Sequence, residues 1–323
     1  MKRFSFLSFA AAAVSVLASG VTRPALAQVT ITETGPATPA AVTAADRDAS
    51  RRDIDRGNDL YDADQYGPAA AKYRLALAHD PSSAEAHDDL ADALYYEGLV
   101  DQSIPEYQAA IKADMPDPAG PAHTPAQTAD AYRQLGKIRQ AKNQLISAVA
   151  NYRASLRLAP GDALTHAVLG DALFDREAYD SAAAEYRAAL RLDPQGHDVN
   201  LADAHENLGI CESDLNHYDL ALAEYHTAVR MTPNDYSPHF NLATTLCEMG
   251  RYPESIREYR EALRLNPRYA RARIGLGVSL CNGGQPEAGR IEWRKVLRMG
   301  DADAADEARE RLADSGGLTI LSP

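Results

Sequence analysis

Seven aromatic residues recur along this chain at a nearly constant step. They are Tyr73, Tyr107, Tyr152, Tyr186, Tyr225, Tyr259 and Trp293, separated by 34, 45, 34, 39, 34 and 34 residues. Around five of these rungs the chain is close to a copy of itself: KYRLALAHDP, NYRASLRLAP, EYRAALRLDP, EYHTAVRMTP and EYREALRLNP. A period near 34 residues accommodates one helix–turn–helix unit, and such a unit buries its apolar face only by stacking on the next. The repeat therefore predicts a solenoid, which presents a long concave surface to other molecules.

The small residues rebuild the unit. Four residues before each rung stand Ala69, Ser103, Ala148, Ala182, Ala221, Ser255 and Gly289, and sixteen before it Gly57, Ala91, Gly136, Gly170, Gly209, Ala243 and Gly277. Leu90, Leu135, Leu169, Leu208, Leu242 and Leu276 directly precede the second set, with Arg56 as the exception. Small residues recur where two helices approach closely, and large ones fill the space beside the contact. Apolar positions at i, i+3 and i+4 give each helix one buried stripe. Pro81, Pro160, Pro194, Pro233 and Pro267, each eight residues after a rung, end the second helix by removing a donor and clashing with the preceding turn.

This Leu-Gly, Ala, Tyr, Ala, Pro pattern resembles the tetratricopeptide repeat. It recurs in seven units, 50–83, 84–117, 129–162, 163–196, 202–235, 236–269 and 270–303. The resemblance implies an all-α, right-handed superhelical solenoid of paired antiparallel helices, with a concave groove lined by the first helix of each pair. The early position where the family carries a Trp-like ring holds His87, Tyr132, His166, His205 and His239, so those histidines are expected to pack as bulky rings.

Residues 1–27 read as a cleavable secretory signal: Lys2 and Arg3, an apolar run from Phe4 to Ala18, then Ala25-Leu26-Ala27. The chain is accordingly expected to be exported, periplasmic or secreted, with no stable membrane insertion after cleavage. Residues 28–43 form a Thr/Pro/Ala-rich linker expected to be disordered, and Thr43 with Asp46 suits a capping box opening a helix. Units one and two occupy 44–117, a Pro-rich loop 118–128, and units three to seven 129–303. Thr124-Pro125-Ala126-Gln127 reads as the cap and first turn of the next helix. The five extra residues 197–201 are expected to lengthen the helix after them. Residues 304–315 form a C-terminal capping helix and 316–323 a tail.

Projection of the first helices onto the groove selects Asn58, Tyr61 and Asp62 in unit one and Asp88, Asp92, Tyr95 and Tyr96 in unit two. Unit three contributes Arg133, Lys137 and Gln140, and unit four Asp171, Phe174 and Asp175. Units five to seven add Glu206, Ser213, Phe240, Thr244, Cys247, Ile274, Val278 and Cys281. Carboxylates beside aromatic rings suit a protein or peptide partner that is basic and partly apolar. The Lys/Asn clamp by which some family members hold a C-terminal carboxylate is absent, since Asp92, Asp171 and Ile210 stand at its positions and only Lys137 fits.

A net charge of −13 excludes non-specific nucleic-acid binding. That charge is unevenly spread: 15 acidic against 4 basic residues from Asp53 to Asp117, and 7 basic against 2 acidic from Arg268 to Arg298. Self-association through these ends is a second expectation. No phosphate loop, nucleophile elbow or His/Glu metal motif appears, so neither catalysis nor a cofactor or metal is expected. Cys211, Cys247 and Cys281 are expected as free thiols at least partly buried. Cys247 and Cys281 are equivalent positions in adjoining units, too far apart to bridge.

Overall fold

A computed structural model describes residues 41–113 and 125–316. The expected signal, nearly all of the expected linker, residues 114–124 and residues 317–323 lie outside the described residues. The compact unit from Val42 to Pro323 contains only α-helices among the described residues. The pairs are α1 (Ala44–Tyr61) with α2 (Tyr66–His79), α3 (Ala84–Tyr96) with α4 (Val100–Ala113), α5 (Pro125–Ala141) with α6 (Leu145–Leu158), and α7 (Ala163–Phe174) with α8 (Tyr179–Leu192). They continue as α9 (Leu201–Asp214) with α10 (Tyr218–Met231), α11 (Tyr236–Glu248) with α12 (Tyr252–Leu265), and α13 (Ala270–Asn282) with α14 (Pro286–Val296). A last helix, α15 (Ala302–Gly316), follows.

First and second helices start by different devices. Thr43, Ser83, Asp162, Asn200 and Asp235 cap first helices with side-chain oxygens. Thr43 and Asp46 form the reciprocal capping box, with Thr43 N donating to Asp46 Oδ2 at 3.0 Å and Asp46 N to Thr43 Oγ1 at 3.2 Å. Second helices follow a turn residue at positive φ: Asp64, Gly98, Asn143, Glu177, Asn216, Gly250 or Gly284. Asp, Asn and Gly tolerate that region, whereas Glu177, at φ 57°, has a less suitable side chain for it. Glu177→Asn is expected to raise stability by about 0.5–1 kcal/mol, read as a higher denaturation midpoint in urea. Second helices end two residues before the repeat proline, and the residue between, Asp80, Ala159, Asp193, Thr232 or Asn266, has left helical geometry.

The rungs are buried, from Tyr152 at 0 % exposure to Trp293 at 4 %. Each inserts opposite a small residue of its own first helix. A Cβ on Gly170 would lie 2.8 Å from Tyr186 Cε1, so only glycine lets the ring lie that close. The apolar clusters join neighbours: one runs from Tyr152 through Leu169 and Tyr186 to Leu208 and Cys211, another from Ala91 and Tyr107 to Leu135 and Ile138. Cys211 is buried, Cys247 and Cys281 are half-buried, and all three are free. Each first helix touches the first helix of the next unit, whereas no second helix touches another second helix among the described residues. First helices therefore line the closer-packed inner side.

α5 opens at Pro125, the first-turn proline expected for this helix, and its first turn takes in the last four residues of the loop expected over 118–128. Two further segments depart from expectation. The extra residues 197–201 lengthen α9 only by Leu201, at which it begins behind its Asn200 cap. They extend the connection instead, because Asp193 collects the backbone amides of His197, Asp198 and Val199 at 3.0, 2.8 and 2.9 Å. These bonds stabilise the carboxylate and hold its pKa far below the usual range. They also give the loop amides acceptors that a helical turn would otherwise provide. α15 starts at Ala302, two residues before the expected cap, and closes the array by packing Ala304 and Ala308 against Trp293 and Val296.

Candidate functional site

The inner helices carry most of the residues that the repeat projection selects, but most of those are occupied by partners within the chain. Five rung hydroxyls reach back to their own first helix, four of them to the residue fifteen positions earlier and Tyr152 to the one twelve earlier. Tyr73 donates to Asn58 at 2.7 Å, Tyr186 to Asp171 at 2.7 Å and Tyr107 to Asp92. Tyr259 shares a 3.0 Å hydrogen bond with Thr244, and Tyr152 donates to Gln140 at 3.0 Å. Neighbouring units then tie their groove residues together. Gln140 donates to Asp175 at 2.8 Å, Asn207 to Asp171 at 3.4 Å and Asn241 to Glu206 at 2.7 Å, while Ser213 and Thr245 meet at 2.9 Å.

Arg133 is held by Asp130 and, at 2.7 Å, by Asp162. Burial, with Arg133 alongside, lowers the pKa of Lys137. Phe174 packs edge-on against Tyr179, and Phe240 against Tyr269. Ile274, Val278 and Cys281 belong to the apolar cluster that α15 closes, so the last unit does not present them as an open groove face. Asp62 is exposed at the C-terminus of α1.

Unit two differs. Asp88 Oδ1 and Asp89 Oδ2 are inaccessible to solvent and have no hydrogen-bond partner among the described residues. Burial, then Asp92 and Asp89, pushes Asp88 up to about 8. Burial, then Glu85 and Asp92, pushes Asp89 up to about 7, with Arg51 opposing. Asp92 is also raised, chiefly by burial. Beside them Tyr61, Tyr66, Tyr95 and Tyr96 form a ring cluster with centroids 5.3–5.9 Å apart. Tyr96 remains 53 % exposed at its edge.

Projection of the first helices misses Asp89. Its signal lies one position further along each first helix: the same repeat position holds Asn207 and Asn241, which donate to a carboxylate of the preceding unit. An Asp there brings another acceptor and no donor.

Both carboxyls have folded pKa values above the unfolded value near 4. Their neutral forms favour folding at low pH, and that contribution is lost progressively from about pH 4 to about pH 8. Asp88→Asn with Asp89→Asn is therefore expected to gain melting temperature over the wild type at pH 8.5 relative to pH 5.5. An equal difference at both pH values would remove burial as the source of the shifts.

Tetratricopeptide repeat family models match residues 54–118, 127–197 and 243–283. No curated protein matches the chain in sequence. Among solved structures, a tetratricopeptide repeat protein from Parabacteroides merdae is similar at TM-score 0.52 and 13 % identity, over 84 % of this chain and 100 % of that one. YrrB, described as a TPR protein with an unusual peptide-binding site, is similar at TM-score 0.50 and 22 % identity, over 63 % of this chain and 97 % of that one. At these identities the likeness shows the shared fold.

Proposed function

We propose that this chain, which belongs to the tetratricopeptide repeat family, is an exported scaffold that holds a basic, partly apolar protein segment in its groove and catalyses no reaction itself. The observation carrying this reading is the pair of unpartnered carboxylate oxygens on Asp88 and Asp89 beside the tyrosine cluster. An incoming Lys or Arg would pair with the half-buried Asp88 and Asp89 carboxyls from the groove side, and the rings would take the apolar part of the segment. The peptide-binding site in YrrB's description supports looking to the groove. Export, to a periplasmic or secreted location, rests on the signal-like residues 1–27. The test is cross-linked pull-down from the cell envelope with the wild type and with Tyr61, Tyr95 and Tyr96 changed to Ala. Recovery of the same partner by both proteins would remove those rings from the binding surface.

A second reading, head-to-tail self-association, is favoured by a specific arrangement of exposed charge. Arg268, Arg271, Arg294 and Arg298 are exposed and in no ion pair among the described residues, and so are Asp59, Asp62 and Glu97 at the other end. Light scattering at low and high salt separates the readings: an oligomer that dissolves in salt supports self-association, and a monomer at both refutes it.

A further inference from the structure

A cavity of about 190 Å³ lies between α7 and α9, where units four and five meet. The longer connection before α9 builds one of its walls. Pro81, Pro160, Pro233 and Pro267 stand six residues before His87, His166, His239 and Arg273, and all four prolines are exposed. Six residues before His205 the chain has Val199 instead. Val199 is 4 % exposed and clusters with Ala163, Ala189 and Ala204. Its amide donates to Asp193 at 2.9 Å, a bond that a proline has no N–H to make.

The walls are apolar, from Leu164, Ala167, Val168, Val199 and Ala204. Asp171 and Asp203 also line the cavity, and no Lys or Arg does so among the described residues. Tyr186 at 2.7 Å and Asn207 at 3.4 Å both donate to Oδ1 of Asp171, and its Oδ2 accepts no bond among the described residues. Asn200 donates to Oδ2 of Asp203 at 2.8 Å, which leaves Oδ1 open in the same way. Burial raises the Asp171 pKa, the Tyr186 hydrogen bond opposes the rise, and Asp175 adds to it. Two open carboxylate oxygens beside aliphatic walls select a ligand with an aliphatic stem and a compact cationic head. A purely apolar ligand would desolvate the carboxylates and return no donor.

We infer that this cavity takes one lysine side chain of the segment held in the groove, its stem against Val168, Val199 and Ala204 and its ammonium donating to Asp171 and Asp203. The source of that lysine rests on the groove reading proposed above, but the cavity shares no residue with the unit-two carboxyls and rings.

The test is a methyl NMR titration of the full chain with Nα-acetyl-lysine methylamide and with its norleucine counterpart, which lacks the ammonium. The Val168 and Val199 methyl signals are expected to shift saturably with the lysine probe, and the norleucine probe to bind at least about tenfold more weakly. Asp171→Asn with Asp203→Asn should abolish the difference between the probes. Ala167→Leu, which fills the cavity and keeps both carboxylates, should weaken the lysine probe at least about tenfold. Equal affinity of the wild type for both probes, or unchanged affinity in Ala167→Leu, would overturn the inference. Shifts confined to the unit-two tyrosines would overturn it as well, while leaving the unit-two reading in place. Should either variant fail to fold, the comparison of the two probes on the wild type decides.

Discussion

Tyr186→Ala is expected to cost about 3–5 kcal/mol, the range for deleting a fully buried aromatic ring. Tyr186 is 1 % exposed, lies against Gly170 and within one cluster with Tyr152, Leu169 and Leu208, so no side chain can collapse into the space without moving a helix. Because each unit touches only its neighbours, the loss should stay local. Hydrogen exchange is expected to show α7 to α10 losing protection while α1, α2, α13 and α14 keep most of theirs. Uniform loss along the chain would contradict nearest-neighbour packing. Tyr186→Phe, which keeps the ring and loses only the hydroxyl donated to Asp171, is expected to cost about 1 kcal/mol.

The second large effect is electrostatic and asymmetric. Glu212 is 1 % exposed between units four and five, where Arg187 donates to Oε1 and His217 Nδ1 lies 2.9 Å from Oε2. Arg187→Ala leaves a buried carboxylate with only an imidazole beside it, and is expected to cost about 3–5 kcal/mol. Glu212→Gln is expected to cost clearly less, since Arg187 and His217 are both about half exposed and can return to water. Urea denaturation of both variants checks this, and equal costs would place the burden elsewhere than on the desolvated carboxylate.

The rung ladder was legible because one residue type repeats at one offset, and stacking leaves such a ring nowhere else to go. Thr43 with Asp46 and the repeat prolines were legible for local reasons, since caps and breakers act within a few residues. The connection at 193–200 was not: extra length alone does not distinguish a longer helix from a longer loop, and the decision rests with the Asp193 carboxylate. Repeat arithmetic also placed Ile274, Val278 and Cys281 in the groove, because a periodic pattern carries no sign that the array ends and that α15 covers them. The pairing of five first helices, through His87, His166, His205, His239 and Arg273, with a glutamate of the second was partly visible, in the recurrence of Glu106, Glu185, Glu224, Glu258 and Glu292 one residue before a rung.

The same limit applied to the candidate site. Acidic and aromatic residues along the inner helices were visible, but which carboxylates remain unpartnered depends on amides in the next unit. Asn207 and Asn241 satisfy Asp171 and Glu206, and no described residue does so for Asp88 Oδ1 and Asp89 Oδ2.

Binding of a synthetic peptide alternating Lys with Leu and Tyr, followed by calorimetric titration, tests the central claim most directly. The wild type is expected to bind, more tightly at pH 8.5 than at pH 6 as Asp88 and Asp89 ionise. Asp88→Asn with Asp89→Asn should bind at least about tenfold more weakly at pH 8.5. Equal affinity of the two folded proteins for this peptide, at both pH values, would contradict the account.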